Sequence, residues 1–337
     1  MNQPSSNPPQ INQPPICFPQ TQELIQCLEE MLNATFLVYW TSPEGNVCQS
    51  DVEAFQEIFQ KLGKQSEVYL FIKSEGGSGL AALRIVHLLR YYADRLKVLI
   101  PLDCASAATM IALGADEIHM GPLAYLTAID TSITHQLAPI DTYNSRISVS
   151  KEELMRAIQL WQKEANVNSP HPYQALFNHI HPLVIGAVDR ASSLSIKICT
   201  EILSHHMEDQ ELAEKISNHL NSDYPSHSYP ITLREAKKIG LNIQALSTDT
   251  NKVLLELHRL YSQMGQKAFT YFDEKHYHNY EILNILEGRD IQIYYKNDLD
   301  YHYRSEERRW VRMNDESAWR KLERENGQVK ESVFHIR

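Results

Sequence analysis

The sequence predicts an α/β fold, and two patterns carry that prediction. Short apolar runs rich in β-branched and aromatic residues alternate with helical patterns that begin at capping sequences. Strands that alternate with capped helices are typical of α/β architecture. A shift in composition after Gln244 predicts that a C-terminal α+β extension follows this core.

The first predicted elements precede the glycine-rich centre of the chain. Residues 35–40 (TFLVYW) predict a strand. Ser50 and Glu53 have the spacing of a capping box that opens a helix, and Gly63 is expected to end that helix. The buried face of this helix is expected to comprise Val52, Phe55, Phe59 and Leu62.

Two strand-to-helix turns form the centre of the chain. An apolar strand at residues 68–72 leads into Ser-Glu-Gly-Gly-Ser at 74–78. A second strand at 98–100 leads into Ala-Ser-Ala-Ala-Thr at 105–109, which opens another helix. The helix after the first turn is expected to bury Leu80, Leu83, Val86 and Leu89.

Helical patterns follow from Ser150 onward. Ser150 and Glu153 form a second capping-box pattern, and further helices are predicted at 184–202 and then to about residue 220. Thr232 and Glu235 have the same spacing at the start of another helix. No internal repeat is visible, and the length and composition fit one large domain with additions.

The extension is predicted to contain a helix and a β-hairpin. Residues 251–264 form a leucine-rich helical pattern, and residues 291–295 predict a strand. A turn at 297–298 and a return strand at 301–311 complete the predicted hairpin. The charged residues at 320–324 are expected to lie on the surface.

The chain divides into three expected regions. Residues 1–20 contain six prolines and no charged residue, which predicts a disordered tail, with a polyproline ligand as the alternative. Residues 21–245 form the expected main domain, and 246–337 the extension. The extension is expected to be a solvated appendage that covers an edge of the main domain, and a subunit or substrate-docking role is the alternative.

Composition narrows the class of protein. The net charge of −10 disfavours a general nucleic-acid partner, and no window is apolar enough to span a membrane. The five scattered cysteines predict reduced thiols, no disulfide framework and no metal site. Because no basic residue precedes Lys61, no secretory leader is expected, and the predicted location is cytoplasmic.

The two central turns bring together the groups that acyl transfer needs. Paired glycines, Gly76 and Gly77, allow backbone N–H groups to converge on a developing oxyanion. Ser106 begins a helix, and the N–H of Ala107 behind it is a second candidate donor. An oxyanion cradle beside a serine predicts a hydrolase that uses a serine nucleophile and needs no cofactor.

These residues also carry a family resemblance. The Ser-x-Gly-Gly-Ser turn paired with a later Ala-Ser-Ala resembles the Clp-type and signal-peptide-peptidase serine peptidases of the Clp/crotonase fold. Residues 106–121 (SAATMIALGADEIHMG), closing with Ile129 and Asp130, resemble the serine-dehydrogenase-proteinase family most. Residues 231–241 resemble a later segment of the same peptidases. The resemblance covers roughly residues 68–243 and implies a Clp/crotonase-like fold and peptide-bond cleavage.

The general base is harder to assign than the nucleophile. Clp-type enzymes carry a histidine about 25 residues after the serine, where this chain has Ala-Ile-Asp-Thr at 128–131. We therefore select His135, with Asp130 to orient it, because a neutral imidazole suits proton transfer near neutral pH. His179 and His181 are alternatives whose simpler role is to cap a helix. A lysine base is disfavoured, and Cys104 is the rival nucleophile.

The predicted function is a serine peptidase that forms an acyl-enzyme on Ser106 with a peptide or protein substrate. Two alternatives stay open: a catalytically inactive oligomeric scaffold, and crotonase-like acyl-CoA chemistry. The resemblance implies a homo-oligomer, trimeric or a multiple of three, and leaves open an ATPase partner. Apolar helix faces after Ser150, after Val184 and in residues 251–264 are expected to supply the subunit contacts.

Overall fold

The computed structural model describes residues 10–141, 145–164 and 171–336. The expected tail therefore lies outside the described residues over its first nine positions. The elements of the first half of the chain are α1 (Phe18–Leu32), β1 (Thr35–Thr41), α2 (Gln49–Leu62), β2 (Gln65–Lys73), α3 (Gly79–Tyr92), β3 (Ala93–Ile100), β4 (Asp103–Cys104), α4 (Ala107–Leu113), β5 (Glu117–Met120), β6 (Tyr125–Leu126), β7 (Ser132–Ile133) and β8 (Val149–Ser150).

The second half begins with helices and ends with long antiparallel strands. Its elements are α5 (Lys151–Glu164), α6 (Pro172–Leu176), α7 (Pro182–Leu203), α8 (Gln210–Ser222), α9 (Leu233–Lys238), β9 (Ile243–Ala245), α10 (Thr248–Met264), β10 (Ala268–Asp273), β11 (His276–Gly288), β12 (Ile291–Arg304), β13 (Arg309–Asp315), β14 (Ala318–Glu325) and β15 (Gln328–Val333).

One mixed sheet organises the molecule and confirms the predicted α/β class. Its strand order is β15-β14-β12-β11-β1-β2-β3-β5-β9, with β10 paired to β11 and β13 paired to β12. Strands β1, β2, β3, β5 and β9 are parallel, as connections through helices require. Their carboxyl ends lie at one edge of the sheet, where the two central turns emerge.

Alternating side chains of the parallel strands supply two separate apolar cores. On one face, Leu70 and Ile72 pack with the buried sides of α2, α3 and α4. On the other face, Phe71 packs in a second cluster that contains residues of α1 and α10. Both faces of the parallel part are therefore covered, which explains why these strands read as continuous apolar runs.

The extension continues the central sheet at its β1 edge. β11 pairs antiparallel with β1, with Tyr39 opposite Leu286. The expected turn at 297–298 is absent, because β12 runs on to Arg304 and its return strand is β13. The charged residues at 320–324 lie in β14, where their side chains are half-buried on either side of the buried Leu322.

The tail also differs from expectation within its described part. α1 begins at Phe18, inside the region expected to be disordered, and Pro at its first turn suits helix initiation. Phe18, Ile25 and Leu28 are fully buried against the second core, which offsets the entropy of ordering this segment. The boundary expected at residue 20 therefore falls within a helix.

Local details of two predicted helices also change. Cys48 is the N-cap of α2 and Asp51 completes its capping box, in place of Ser50 and Glu53. On α3, Leu80 is 51% exposed, whereas Ala81, Ala82 and Ile85 are buried. Small or β-branched side chains face the core at these positions, where the neighbouring helix α4 packs against α3.

Candidate active site

The glycine turn after β2 has a backbone that favours glycine. Gly76 has φ +107° and Gly77 has φ +146°, in the region that L side chains rarely adopt. Val47 fixes the turn: its N–H donates to the Gly76 carbonyl at 2.7 Å, and its carbonyl accepts from the Ser78 N–H at 2.8 Å. A Cβ at Gly77 would lie 2.5 Å from the Val47 carbonyl oxygen.

Ser106 lies at the second turn in an unusual backbone conformation for a residue with a side chain. Its φ is +53° and its ψ is −119°, and it immediately precedes α4. The side chain makes no capping hydrogen bond to the helix, so the simpler role of Ser106 as a helix cap does not hold. Non-glycine residues held at positive φ are strained, and such residues cluster at functional sites.

The Ser106 backbone is held by Thr127. The Ser106 N–H donates to the Thr127 hydroxyl at 2.8 Å. The Thr127 N–H in turn donates to the Thr109 hydroxyl at 3.2 Å, and that hydroxyl donates to the Cys104 carbonyl at 2.8 Å. These bonds connect the serine turn to the segment that leads toward Asp130.

The structure brings the glycine turn and the serine turn into contact. A Cβ built on Gly76 would lie 2.6 Å from the Ser106 Cβ and 3.0 Å from the Ala107 nitrogen. Short bridges between Ser74 and Cys104 support this approach: Ser74 N–H donates to the Asp103 carbonyl at 3.2 Å, and Ala105 N–H donates to the Ser74 carbonyl at 2.9 Å. The absence of a side chain at Gly76 is therefore a steric requirement of the site.

A buried ion pair that the sequence analysis did not identify also joins the two turns. The Lys73 ammonium lies 3.3 Å from Asp103 Oδ2 and donates to the Thr41 carbonyl at 3.2 Å. Asp103 Oδ2 has no partner with hydrogen-bond geometry, so its attraction to Lys73 is electrostatic. The Lys73 side chain is 8% exposed, and a charge at that depth is weakly screened.

Asp130 pairs with a histidine other than the one expected. Its Oδ1 lies 2.7 Å from Nδ1 of His227, and this hydrogen bond raises the pKa of the His227 imidazole. His135 instead accepts a hydrogen bond at Nδ1 from the Leu137 N–H at 3.1 Å, within its own turn. The expected Asp130–His135 pair does not form, because the local turn occupies the His135 ring while His227 reaches Asp130 from a distant loop.

The remaining candidate residues have simpler roles. His181 is the N-cap of α7, and its Nδ1 accepts from the Leu183 N–H at 3.2 Å. Cys104 is fully buried, and burial raises the pKa of its thiol well above the usual range, which disfavours a thiolate nucleophile. His179 lies beside Trp161 in a separate groove between α5 and α6.

The Asp130–His227 pair lines a polar cavity of about 360 Å³. The side chains of Ser132, Glu152 and Arg156 share that cavity. Within the part of the chain that the structure describes, no group of three or more His, Cys, Asp or Glu side chains has a metal-binding arrangement. No helix among residues 10–141, 145–164 and 171–336 is long and apolar enough to cross a membrane.

Comparison with known proteins finds distant relatives. No family model matches the chain. Two proteins of Methanocaldococcus jannaschii, both described as uncharacterized, are 24% identical over 209 and 230 residues, which are 62% and 66% of this chain. These matches span 64% and 67% of the relatives' own lengths.

Solved structures with similar folds include two proteases. An alanine variant of the 1510-N membrane-bound stomatin-specific protease aligns with a TM-score of 0.39 at 16% identity, covering 70% of this chain and 88% of that one. ClpP1 from Listeria monocytogenes aligns with a TM-score of 0.36 at 13% identity, covering 66% and 99%. Similarities at these TM-scores carry no argument about the reaction.

Proposed function

We propose that this protein is a serine hydrolase of the peptidase type, with Ser106 as its nucleophile. The contact between Gly76 and Ser106 is the observation that carries the proposal. A Cβ built on Gly76, a residue of positive φ, would lie 2.6 Å from the Ser106 Cβ. Ser106 also has a positive φ, and its side chain does not cap the helix that follows. Nucleophiles on sharp strand-to-helix turns have a strained backbone of this kind.

The N–H groups of Gly77 and Ala107 are the proposed oxyanion donors. Two other N–H groups of these turns already have acceptors: Gly76 donates to the Ser74 hydroxyl at 3.2 Å, and Ser106 donates to Thr127. Ala107 is the first residue of α4, where N–H groups have no acceptor within the helix. The positive end of the α4 dipole adds to the attraction for an oxyanion.

His227, oriented by Asp130, is the proposed general base. Hydrogen bonding of Nδ1–H to Asp130 leaves Nε2 free to accept the Ser106 proton. As Oγ attacks the peptide carbonyl, the proton moves to Nε2 and is then passed to the leaving amine when the C–N bond breaks. Water hydrolyses the resulting ester by the reverse path. No hydrogen bond joins Ser106 and His227 in the structure, so the proposal requires that Nε2 of His227 come within hydrogen-bond distance of Ser106 Oγ in the substrate complex.

Labelling with a fluorophosphonate tests the nucleophile. We expect the wild-type protein to be labelled, Ser106→Ala to be unlabelled, and Ser193→Ala to be labelled as the wild type is. Ser193 is a matched control because it is an exposed serine on α7 whose hydroxyl bonds to its own helix. Equal labelling of Ser106→Ala and wild type would refute the assignment of Ser106.

An inactive scaffold is the second candidate, and one observation favours it. The Ser106 hydroxyl has no base within hydrogen-bond distance among the described residues, which is the arrangement expected of a member that has lost catalysis. A wild-type protein that is not labelled at any pH from about 6 to about 9, where histidine bases titrate, would support the scaffold and refute the hydrolase. Labelling that depends on Ser106 would exclude the scaffold.

A closed homo-oligomer remains part of the proposal, on narrower grounds than the sequence suggested. Three leucines of α10, Leu254, Leu257 and Leu260, are buried within the chain, so the main apolar face of this helix is already covered. On α5, however, Leu160 is 64% exposed and Trp161 is 39% exposed. Light scattering is expected to give a multiple of the 38.8 kDa chain mass, and the monomer mass across a range of concentrations would refute assembly.

A further inference from the structure

Ser74 lies at the junction of the two turns and takes no part in the bond-making steps proposed above. Its side chain is fully buried, so its hydroxyl does not face a substrate. The Ser74 backbone N–H donates to the Asp103 carbonyl at 3.2 Å, and the Ser74 carbonyl accepts from the Ala105 N–H at 2.9 Å. These two backbone hydrogen bonds fix Ser74 relative to the turn that carries Ser106.

The Ser74 side chain joins the glycine turn to the end of β1. Its hydroxyl accepts from the Gly76 N–H at 3.2 Å and from the Thr41 hydroxyl at 3.0 Å. Two accepted hydrogen bonds fill both acceptor positions of a hydroxyl oxygen. Thr41 is fully buried as well, and its carbonyl accepts from the Lys73 ammonium at 3.2 Å. The side chains of Thr41 and Ser74, which we call the hydroxyl pair, therefore connect a buried strand end to the glycine turn.

The glycine turn needs restraint from its surroundings, because glycine tolerates many backbone angles. The Ser74 hydroxyl holds the N–H of the peptide unit that precedes the Gly76 Cα. The Val47 N–H holds the carbonyl of the peptide unit that follows it, at 2.7 Å. With both flanking planes held, Gly76 stays at φ +107°. The Gly77 N–H belongs to the second plane and points away from Val47, because the N–H and the carbonyl of a trans peptide point in opposite directions.

We propose that the hydroxyl pair selects which glycine N–H binds the oxyanion, an inference that rests on the proposed serine hydrolase. By accepting from Gly76, Ser74 withdraws that N–H from the site and fixes the backbone that orients the N–H of Gly77. Oxyanion donors act through preorganised geometry, so loss of this restraint weakens stabilisation of the transition state. Because both side chains are fully buried, Thr41 and Ser74 act through the glycine turn and are positioning residues.

Fluorophosphonate labelling tests the role of Ser74 when it is measured as a rate constant at saturating probe and as an affinity for the probe. Ser74→Ala is expected to lower the rate constant about 10- to 100-fold, because a displacement of about 1 Å at a reacting centre costs up to about 100-fold. The probe affinity, the final extent of labelling and the pH at which the rate rises are expected to match those of wild type. A merely structural role would instead lower the extent of labelling, by unfolding part of the protein, at an unchanged rate constant.

Variants of Thr41 test the hydroxyl pair without removing the acceptor of Gly76. Thr41→Val keeps the shape of the side chain but donates no hydrogen bond to Ser74, so its rate constant is expected to lie between those of wild type and Ser74→Ala. Thr41→Ser keeps the hydroxyl and is expected to keep the wild-type rate constant. Ser42→Ala is the matched control and is expected to be labelled as wild type is. Ser42 is the next residue after Thr41, is fully buried, and its hydroxyl has no hydrogen-bond partner among the described residues.

Equal rate constants for Ser74→Ala and wild type would overturn the positioning role, while labelling that is lost in Ser106→Ala would still support the hydrolase. An equally low rate constant in Ser42→Ala would also overturn it, because loss of any buried hydroxyl would then have the same effect. If Ser74→Ala does not fold, equal rate constants for Thr41→Val and Thr41→Ser would overturn the role. A wild-type protein that is not labelled would refute the hydrolase, and the positioning role with it.

Discussion

The carboxyl group of Glu287 is fully buried where α1, α10, β11 and β12 meet. Its Oε1 accepts from the Thr21 hydroxyl at 2.6 Å and from the Gln22 amide at 2.8 Å, and its Oε2 accepts from the Tyr261 hydroxyl at 2.7 Å. Burial raises the pKa of Glu287 to about 7, against the lowering effect of these donors. The group therefore titrates well above the usual glutamate pKa of 4.5.

This raised pKa makes stability depend on pH with a definite sign. Between about pH 4.5 and pH 7 the folded state holds a proton that the unfolded state has lost, so the free energy of unfolding falls as pH rises. The difference of about 2.5 pKa units corresponds to a fall of about 3 kcal/mol, which is complete above pH 7. Asp51 and Glu281, whose pKa values are also raised, to about 6 and about 7, add slopes of the same sign.

The substitution Glu287→Gln isolates the contribution of Glu287. Glutamine keeps the shape of the side chain and a carbonyl acceptor but does not titrate. The free energy of unfolding of the variant therefore lacks the pH dependence that Glu287 contributes. We expect the free energy of unfolding of the variant, minus that of wild type, to increase by about 3 kcal/mol from about pH 4.5 to about pH 8. The contributions of Asp51 and Glu281 cancel, because both proteins contain them.

Urea unfolding followed by circular dichroism, repeated across this pH range, measures the difference. Glu274→Gln is the control, because Glu274 is exposed in the turn between β10 and β11. The free energy of unfolding of this control variant is expected to change with pH in the same way as that of wild type. If the Glu287→Gln and wild-type stabilities also run parallel from pH 4.5 to pH 8, Glu287 does not titrate near pH 7 and the reasoning from burial is wrong.

Three further predictions concern the proposed site. Gly76→Ala is expected to lower the rate of fluorophosphonate labelling roughly 10²- to 10³-fold, because the new Cβ displaces Ser106 from the oxyanion donors; an unchanged rate would remove the glycine turn from the mechanism. Asp130→Asn is expected to slow labelling and to move its rising pH limb to lower pH, since Asp130 raises the pKa of His227; a limb that stays in place would show that another base is used. Lys73→Met is expected to lower the free energy of unfolding by at most about 3–5 kcal/mol in urea unfolding, because Asp103 is left without its cation; a stability equal to wild type would mean that solvent already screens this pair.

The sequence alone determined the local structure of the parallel core. The strand at 68–72, the glycine turn after it and the serine turn at 105–109 each lie within a short window, and hydrophobic period and turn chemistry act over such windows. The same local patterns predict the roles of Gly76 and Ser106, and the structure brings the two residues together because the neighbouring parallel strands β2 and β3 end at the same edge of the sheet. Parallel strands linked by helices bring their carboxyl ends together whatever the intervening sequence is.

Only the tertiary structure decided which distant side chains meet. The partner of Asp130 is His227, which no local pattern links to it. The outer neighbour of β1 in the sheet is β11, although the two strands lie far apart in the sequence. The helical period predicts that Leu80 is buried, but its side chain is exposed. The charged residues at 320–324 form part of a strand of the sheet, which the local sequence did not indicate. Periodicity shows that an element has an apolar face. Contacts between residues far apart in the chain decide which neighbour covers that face and which side chain pairs with a given carboxylate.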